Sequence, residues 1–220
     1  MKFRMGVIGY GKRGSSVTRE ILLRMKDVQV IAICDSYEDR VREGIADVGK
    51  KEKKPANGYT DYREMLEKEP LDGVYIAAAW EYHAEIALEA MRRGGAIACL
   101  LPQTSFYLGK TFAPARRMIE LGIPVALASD FNPGSCPSFN LQLSINLGLL
   151  RYQMLPEEVL TAVTVNAACA CGRGNLCGTL EAGKQADLVV WDAPDWEMVC
   201  YRFGSNQTKA VVKNGRVTER

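Results

Sequence analysis

Short apolar runs alternate with stretches of helical periodicity along most of this sequence. Strands are predicted by the apolar runs at residues 4–8, 28–34, 71–79, 96–101 and 125–128, with a shorter strand beginning at Gly58. Helices are predicted at residues 15–26, 37–48, 85–93, 113–121 and 156–170, and after a cap at Thr60 or Asp61. This alternation is typical of an α/β protein with a mostly parallel, doubly wound sheet. Because no Pro/Gly/Ser linker interrupts it, we expect one sheet of six strands with helices on both faces.

The end of the chain follows a different pattern. Residues 209–213 and 216–218 are β-formers on either side of Asn214-Gly215, the pair that favours a type I′ turn. A C-terminal β-hairpin is therefore predicted. We expect its outer edge to be unpaired, and such an edge favours assembly into a homo-oligomer.

Charge and cysteine content change in the middle of the chain. The first 94 residues hold 33 charged side chains, whereas the remaining 126 hold 21. Of the seven cysteines, one, Cys34, lies in the first segment and six lie in the second. This step divides the chain into segments 1–94 and 95–220 and indicates a chimera of two origins.

Composition excludes several classes of protein. The net charge of +2, without a basic stripe, gives no reason to expect a nucleic-acid partner. No apolar run approaches the ~18 residues of a membrane span. The N-terminal apolar stretch is too short for a signal-peptide core. We therefore expect a cytoplasmic protein whose cysteines are reduced thiols.

A glycine-rich turn follows the first predicted strand. Its spacing, glycine at positions 9, 11 and 14, is that of dinucleotide-binding turns, where the backbone and a helix N-terminus face the pyrophosphate. Asp35 ends the next strand, where a carboxylate accepts the ribose hydroxyls and favours NAD; Ser36 and Arg40 leave NADP open. The alternative is an ordinary glycine turn and strand-end aspartate. The candidate cofactor-binding residues are Gly9, Tyr10, Gly11, Lys12, Arg13, Gly14 and Asp35.

Two further motifs accompany this turn. They are Thr-Asp-Tyr-Arg-Glu at residues 60–64 and His-Ala-Glu-Ile-Ala at residues 83–87. With them, segment 1–94 resembles the NAD(P)-binding domain of the glucose-fructose oxidoreductase and inositol dehydrogenase family, a Rossmann-like fold. That family has a catalytic lysine in a Glu-Lys-Pro sequence after its next strand, and the corresponding strand here, residues 96–102, has none. The resemblance therefore implies dinucleotide binding without a complete hydride-transfer site. His83 is interpreted as a helix-start or packing residue rather than a proton shuttle.

The second segment carries other motifs. They are Leu100-Leu101-Pro102, Phe106-Tyr107-Leu108 and, above all, residues 125–137, Val-Ala-Leu-Ala-Ser-Asp-Phe-Asn-Pro-Gly-Ser-Cys-Pro. With them, segment 95–220 resembles the C-terminal part of imidazolonepropionase, a metal-dependent amidohydrolase of histidine degradation, and implies a fragment of a (β/α) barrel. The resemblance implies that Asp130 binds the metal and that Asn132, Gly134 and Ser135 hold the substrate. The alternative is that Asp130, Asn132 and Ser135 cap a following helix.

Metal ligands are scarce in this sequence. It has one histidine, His83, whereas the water-activating metal of an amidohydrolase needs several imidazoles. Zinc or iron is therefore expected only if another chain completes the site, and no activity is expected from the monomer. The cysteines at positions 169, 171 and 177 lack the spacing of a metal site, so we interpret them as small buried side chains at a helix end.

Three functions follow from these observations. The chain is a dinucleotide-binding module that lacks a complete catalytic set, or a metal-dependent hydrolase of a cyclic amide completed by a partner. The third possibility is that the chain is a designed or accidental fusion without a selected activity.

Overall fold

The computed structural model describes residues 2–52 and 54–218 and divides the chain into two compact units, Met1–Gly95 and Ala96–Arg220. The boundary lies beside the position at which charge and cysteine content change. Each unit has its own buried core.

The first unit is a parallel sheet with a helix after each strand. Its strands are β1 (Phe3–Ile8), β2 (Val28–Cys34), β3 (Asn57–Tyr59) and β4 (Gly73–Ile76). Its helices are α1 (Lys12–Glu20), α2 (Glu38–Gly49), α3 (Tyr62–Lys68) and α4 (Trp80–Gly94), and a 3₁₀ turn follows α1 at Leu22–Arg24. The order β3-β2-β1-β4, with every pair parallel, is that of a doubly wound sheet built from its centre outward. Asp61 caps α3 by accepting from the backbone N–H of Arg63, which confirms the predicted cap.

A bulge in β2 lets its apolar run fill both faces of this sheet. Met5 pairs with Val30 and Gly6 pairs with Ala32, so that Ile31 is an extra residue. A bulge shifts the in-out alternation by one position. As a result, residues on both sides of it serve the same core cluster. The cluster on one face contains Val7, Tyr10, Leu22, Val30, Ile33, Val48 and Ala56, and the cluster on the other contains Ile8, Ala32, Cys34, Met65 and Ile86.

The second unit contains two small sheets and six helices among its described residues. Its strands are β5 (Ala98–Leu100), β6 (Val125–Leu127), β7 (Leu188–Trp191), β8 (Thr208–Lys213) and β9 (Arg216–Thr218). Its helices are α5 (Pro102–Tyr107), α6 (Ala115–Glu120), α7 (Leu141–Tyr152), α8 (Pro156–Val163), α9 (Val165–Ala170) and α10 (Trp196–Tyr201). Strands β5 and β6 are parallel, and all three residues of β6 are buried. A strand buried in this way is typical of α/β folds, whose helices cover both faces of the sheet.

Two predictions about regular elements are wrong. The single six-stranded sheet is not formed, because the ladder hydrogen bonds of β5 go to the segment around β6 in a separate two-stranded sheet. The helix predicted at residues 156–170 is two helices, α8 and α9, that meet at Thr164. The hydroxyl of Thr164 donates to the carbonyl oxygen of Leu160 at 2.6 Å, and side-chain bonds of this kind compete with the helical backbone.

The predicted C-terminal hairpin is confirmed. Strands β8 and β9 pair antiparallel through a turn in which Asn214 and Gly215 both have positive φ, as a type I′ turn requires. Strand β7 adds to β8, so the sheet has three strands. Within residues 2–52 and 54–218, no helix is long and apolar enough to cross a membrane.

Packing at Gly14 gives a prediction about the stability of the first unit. A Cβ at Gly14 would overlap the carbonyl oxygen of Gly9, so we expect Gly14→Ala to destabilise the protein by about 3 kcal/mol or more. The measurement is urea denaturation followed by far-UV circular dichroism. Gly49→Ala is the matched control, because a Cβ there meets nothing within 4 Å and adds helix propensity. Equal stability of the two variants would contradict the packing described here.

Candidate functional site

Asp130 lies three residues beyond β6, at the carboxyl end of the strand. Its φ of 55° turns the chain sharply there. Its Oδ2 accepts a hydrogen bond of 2.7 Å from the hydroxyl of Thr104, on α5. Because β5 and β6 run parallel, the segments that follow them start from the same edge, and this brings Thr104 to Asp130.

A turn built around Asn132 follows Asp130. The amide oxygen of Asn132 accepts from the backbone N–H groups of Gly134 and Ser135 at 2.9 and 2.8 Å. Its amide nitrogen donates to the carbonyl oxygen of Asp130 at 2.7 Å and to Ser135 Oγ at 3.0 Å. The backbones of Asn132 and Cys136 exchange two hydrogen bonds and close the turn. The resemblance implies substrate contacts for Asn132, Gly134 and Ser135, and in the structure these residues are hydrogen-bonded to one another within the turn.

Buried side chains form hydrogen bonds around this turn and the end of β6. The amide nitrogen of Gln103 donates to Ser144 Oγ at 2.8 Å, and that hydroxyl lies 3.3 Å from the carbonyl oxygen of Ala128, as a donor to it. The thiol of Cys136 contacts the carbonyl oxygen of Ser129 at 3.0 Å. Gln103, Cys136 and Ser144 are all buried, so these contacts are shielded from water. The end of β6 is therefore held rigidly.

The capping alternative for this segment is wrong. The next helix, α7, begins at Leu141, and its cap is Asn140, whose side chain accepts from the backbone N–H of Gln142 at 3.1 Å. Asp130, Asn132 and Ser135 lie five or more residues before that cap. Their hydrogen bonds organise the turn instead.

Metal-ligating side chains do not gather around Asp130. Across the described part of the chain, no three His, Cys, Asp or Glu residues come together in a way that could hold a metal ion. Burial, with smaller contributions from Cys171 and Asp130, raises the pKa of the Cys99 thiol and so disfavours the thiolate that binds metals. The residues at positions 2–52 and 54–218 therefore do not fit an amidohydrolase metal by themselves.

The three cysteines near the end of α9 are not buried as predicted. Cys169 and Cys171 are exposed and Cys177 is half-buried. The reason is that α9 is a short helix with no buried residue. All seven cysteines of the chain are free thiols.

The glycine turn of the first unit joins β1 to α1. Gly9 has a φ of 95°, and its backbone N–H donates to the carbonyl oxygen of Cys34 at 2.7 Å. Helix α1 starts at Lys12 and lacks a side-chain cap, because the capping position is Gly11. Its first turn has no acidic residue and carries the exposed cations Lys12 and Arg13. An uncapped helix N-terminus with cations beside it favours an anion.

Asp35 is buried next to this turn, at the end of β2. Its Oδ2 accepts from the backbone N–H of Tyr10 at 2.6 Å and its Oδ1 accepts from that of Tyr37 at 3.0 Å. The guanidinium of Arg40 lies 3.6 Å from Oδ1. Parallel pairing of β1 and β2 therefore brings the glycine turn and Asp35 together, as their spacing in the sequence predicts.

Tyr10 and His83 have structural contacts. The ring of Tyr10 is in the core and its hydroxyl donates to Asp47 at 3.2 Å, so the predicted cofactor contact of Tyr10 is left to its backbone. His83 lies in the first turn of α4, and its Nε2 is 2.8 Å from the carbonyl oxygen of Ala78. This contact agrees with the interpretation of His83 as a helix-start residue.

Comparison with known proteins decides the family. The amidohydrolase family matches residues 28–218, which is most of the chain and includes much of the first unit. The chain belongs to the amidohydrolase family. Proteins of this family typically use a metal ion. The matched range begins well before residue 95, where the sequence motifs of the second segment start.

Individual relatives agree with this assignment. The chain is 46% identical to imidazolonepropionase from Bacillus velezensis over 161 residues, which is 68% of this chain and 38% of that protein. It is 36% identical to imidazolonepropionase from Caldanaerobacter subterraneus subsp. tengcongensis over 206 residues, which is 90% of this chain and 50% of that protein. The chain thus spans half or less of the length of these curated relatives.

A solved structure agrees in fold. A zinc-bound adenosine deaminase from Xanthomonas campestris matches with a TM-score of 0.55 and 18% identity, over 98% of this chain and 51% of that chain. This likeness concerns the fold alone.

Sequence reasoning missed several residues of these two sites. Thr104 and Gln103 are 26 or more positions from the residues of the Asp130 turn that they contact, and only the pairing of β5 with β6 reveals their roles. Asn140 was missed as the cap of α7, although an asparagine just before an apolar helix is a readable signal.

The internal bonding of the Asp130 turn gives a second prediction. Asn132→Ala would remove the acceptor of the backbone N–H groups of Gly134 and Ser135, so we expect a loss of about 1 kcal/mol in unfolding free energy. The measurement is again urea denaturation. Asn175→Ala, at an exposed asparagine of the same unit, is the control and is expected to change stability by less than about 0.5 kcal/mol. A loss at Asn132 no larger than at Asn175 would show that the turn does not depend on this side chain.

Proposed function

We propose that this chain supplies part of an imidazolonepropionase-type hydrolase, which cleaves a C–N bond of a cyclic amide once another chain provides the missing metal ligands. The observation that carries this proposal is the prebuilt turn at the end of β6, where Thr104 orients Asp130 and Asn132 holds the backbone. The similarity to imidazolonepropionases over most of the chain supports it.

The residues of this chain have defined tasks in that proposal. Asp130 offers a carboxylate whose Oδ2 is already held by Thr104, so that its direction is set before any ligand arrives. Asn132 and Ser135 hold the conformation of the turn through their hydrogen bonds to each other. They contribute to substrate binding indirectly, because the substrate would contact the surface of this turn. A metal would supply the activated water, and its remaining ligands have to come from outside this chain.

A complementation experiment tests this proposal. The chain is co-expressed with the part of Bacillus velezensis imidazolonepropionase that it does not match, and hydrolysis of imidazolonepropionate and bound metal are measured in the purified complex. We expect activity and bound metal only when both chains are present. Asp130→Asn is expected to reduce activity by at least about a hundredfold, since a metal ligand and its charge are lost.

Asp192→Asn is the control, because Asp192 is an exposed aspartate of the same unit. Activity that is insensitive to Asp130→Asn would overturn the role of Asp130. A folded complex without metal or activity would overturn the hydrolase proposal itself.

We propose dinucleotide binding at the glycine turn as a second function. The specific observation in its favour is the uncapped N-terminus of α1, which follows a left-handed Gly9 and carries Lys12 and Arg13 in its first turn. Backbone N–H groups and cations arranged in this way suit a pyrophosphate. The oxidoreductase family that segment 1–94 resembles has a catalytic lysine after its next strand, and residues 96–102 of this chain have none. The proposed function is therefore binding of NAD(H) without hydride transfer.

Titration with NADH tests the second function. We expect saturable binding, seen in nicotinamide fluorescence, with a Kd in the micromolar to millimolar range, about −4 to −8 kcal/mol. Gly11→Val is expected to abolish binding, because its side chain would stand where the pyrophosphate approaches the backbone. A Cβ at Gly11 meets only the guanidinium of Arg40, at 3.7 Å, so the variant is expected to fold.

Gly49→Val is the control for this titration, because a Cβ at Gly49 also has open space. Equal NADH affinity of folded Gly11→Val and Gly49→Val would place the ligand elsewhere.

We also propose a chimeric origin for the chain and its assembly into a homo-oligomer. The step in charge and cysteine content, together with the division into two units beside it, supports a chimeric origin. A sheet that ends in β9, with Val217 exposed, supports a homo-oligomer formed through the C-terminal edge.

A further inference from the structure

We infer that a cavity between α6, α8 and the start of β6 binds a small organic ammonium ion. All residues that line this cavity belong to the second unit. The cavity lies at the amino end of β6, where Pro124 and Val125 line it, whereas Asp130 follows the carboxyl end of that strand. The inference therefore depends neither on the proposed hydrolase nor on dinucleotide binding.

The inner wall of the cavity is apolar. Ile123, Val125 and Met154 line it, and all three are buried. Ile119, on α6, and Pro124 add further apolar surface. The volume of about 260 Å³ is below the ~300–1,000 Å³ of sites for drug-sized molecules, so the ligand is small. Contact with this wall favours a ligand that has an apolar body.

The uncharged polar side chains of the cavity offer acceptors. The hydroxyl of Thr161 donates to the carbonyl oxygen of Glu157 at 2.9 Å, so its oxygen is left to accept from a ligand. The amide of Asn166 lies 2.8 Å from the carbonyl oxygen of Val125. Because a carbonyl only accepts, the amide nitrogen faces it and the amide oxygen is left as an acceptor. A ligand that suits these atoms carries N–H donors.

The two glutamates that line the cavity differ in their pairing. Glu158 accepts from the guanidinium of Arg116 at 2.6 and 2.8 Å and from the backbone N–H of Leu155 at 2.8 Å. The bonds to Arg116 hold the pKa of Glu158 below its ordinary value. The carboxylate of Glu157, in contrast, forms no ion pair and accepts no hydrogen bond within residues 2–52 and 54–218. The uncompensated charge at the cavity is therefore that of Glu157.

The cations nearest to this cavity are engaged elsewhere. Arg116 pairs with Glu158 and lies 3.9 Å from Glu120, and Arg117 lies 3.6 Å from Glu120 on the same helix. Neither guanidinium competes for Glu157. An apolar wall, neutral acceptors and one unpaired carboxylate together favour a cationic N–H donor over a neutral or anionic molecule of the same size.

Chemical-shift titrations of the ¹⁵N-labelled full chain at low ionic strength test the inference. The probes are benzylammonium, benzyl alcohol and benzoate, which share an apolar body and differ in charge. We expect benzylammonium to bind with a Kd in the millimolar range, about fivefold tighter than benzyl alcohol, which is the gain from a solvent-exposed ion pair. Benzoate is expected to bind more weakly than both. The shifted amide signals are expected at Val125, Met154 and Thr161.

Two variants connect this binding to the cavity. Glu157→Gln is expected to reduce the preference for benzylammonium over benzyl alcohol to less than about twofold and to leave benzyl alcohol binding unchanged. Glu181→Gln is the matched control, because Glu181 is an exposed glutamate of the same unit that does not line the cavity. Thr161→Trp places a large side chain at an exposed lining position and is expected to block both ligands.

The outcomes separate the charge from the cavity. A fivefold preference for benzylammonium that persists in Glu157→Gln overturns the role of Glu157. Binding of no probe, shifted signals only outside the cavity, or unchanged binding to folded Thr161→Trp overturns the cavity as a ligand site. None of these results bears on the hydrolase or dinucleotide proposals, because neither involves Glu157 or Thr161.

Discussion

Parallel pairing of strands is the constraint on which both candidate sites depend. Carboxyl ends of parallel strands meet at one edge, so the glycine turn after β1 lies beside Asp35 after β2. The same geometry in the second unit brings Thr104, which follows β5, to Asp130, which follows β6. In each unit, residues far apart in the chain become neighbours because two strand ends are neighbours.

Both sites are also built so that their polar groups are satisfied before any ligand binds. Asp35 accepts two backbone N–H groups, and Asn132 uses both ends of its amide within its own turn. A buried carboxylate without partners is costly, and the bonds of Asp35 remove that cost, whereas those of the half-buried Asn132 fix the shape of its turn. The consequence is that such residues shape the site, while neighbours such as Arg40 beside Asp35 stay partly exposed to solvent.

Family membership and ligand chemistry lead in different directions for this chain. It belongs to a family that typically uses a metal ion, yet its histidine, His83, is bonded at the start of α4, and the described residues bring no ligand set to Asp130. The chain spans half or less of the length of its imidazolonepropionase relatives. The site that we propose to be shared between chains reconciles the matched sequence with the missing imidazoles, because Asp130 and its supporting turn are present in this chain.

Local chemistry in the sequence determined several features by itself: the strand at residues 28–34, the cap at Asp61, the type I′ hairpin at Asn214-Gly215, and the closeness of the glycine turn to Asp35. Each depends on neighbouring residues or on one βαβ unit, where backbone propensity and short connections leave few alternatives. Tertiary structure decided the rest. The bulge at Ile31, the separate pairing of β5 and β6, the hold of Thr104 on Asp130 and the place of Arg40 over the turn all depend on contacts between distant segments. Sequence periodicity records which side chains are apolar, but not which strand edge or side chain each one meets, because that choice is made by packing of the whole unit.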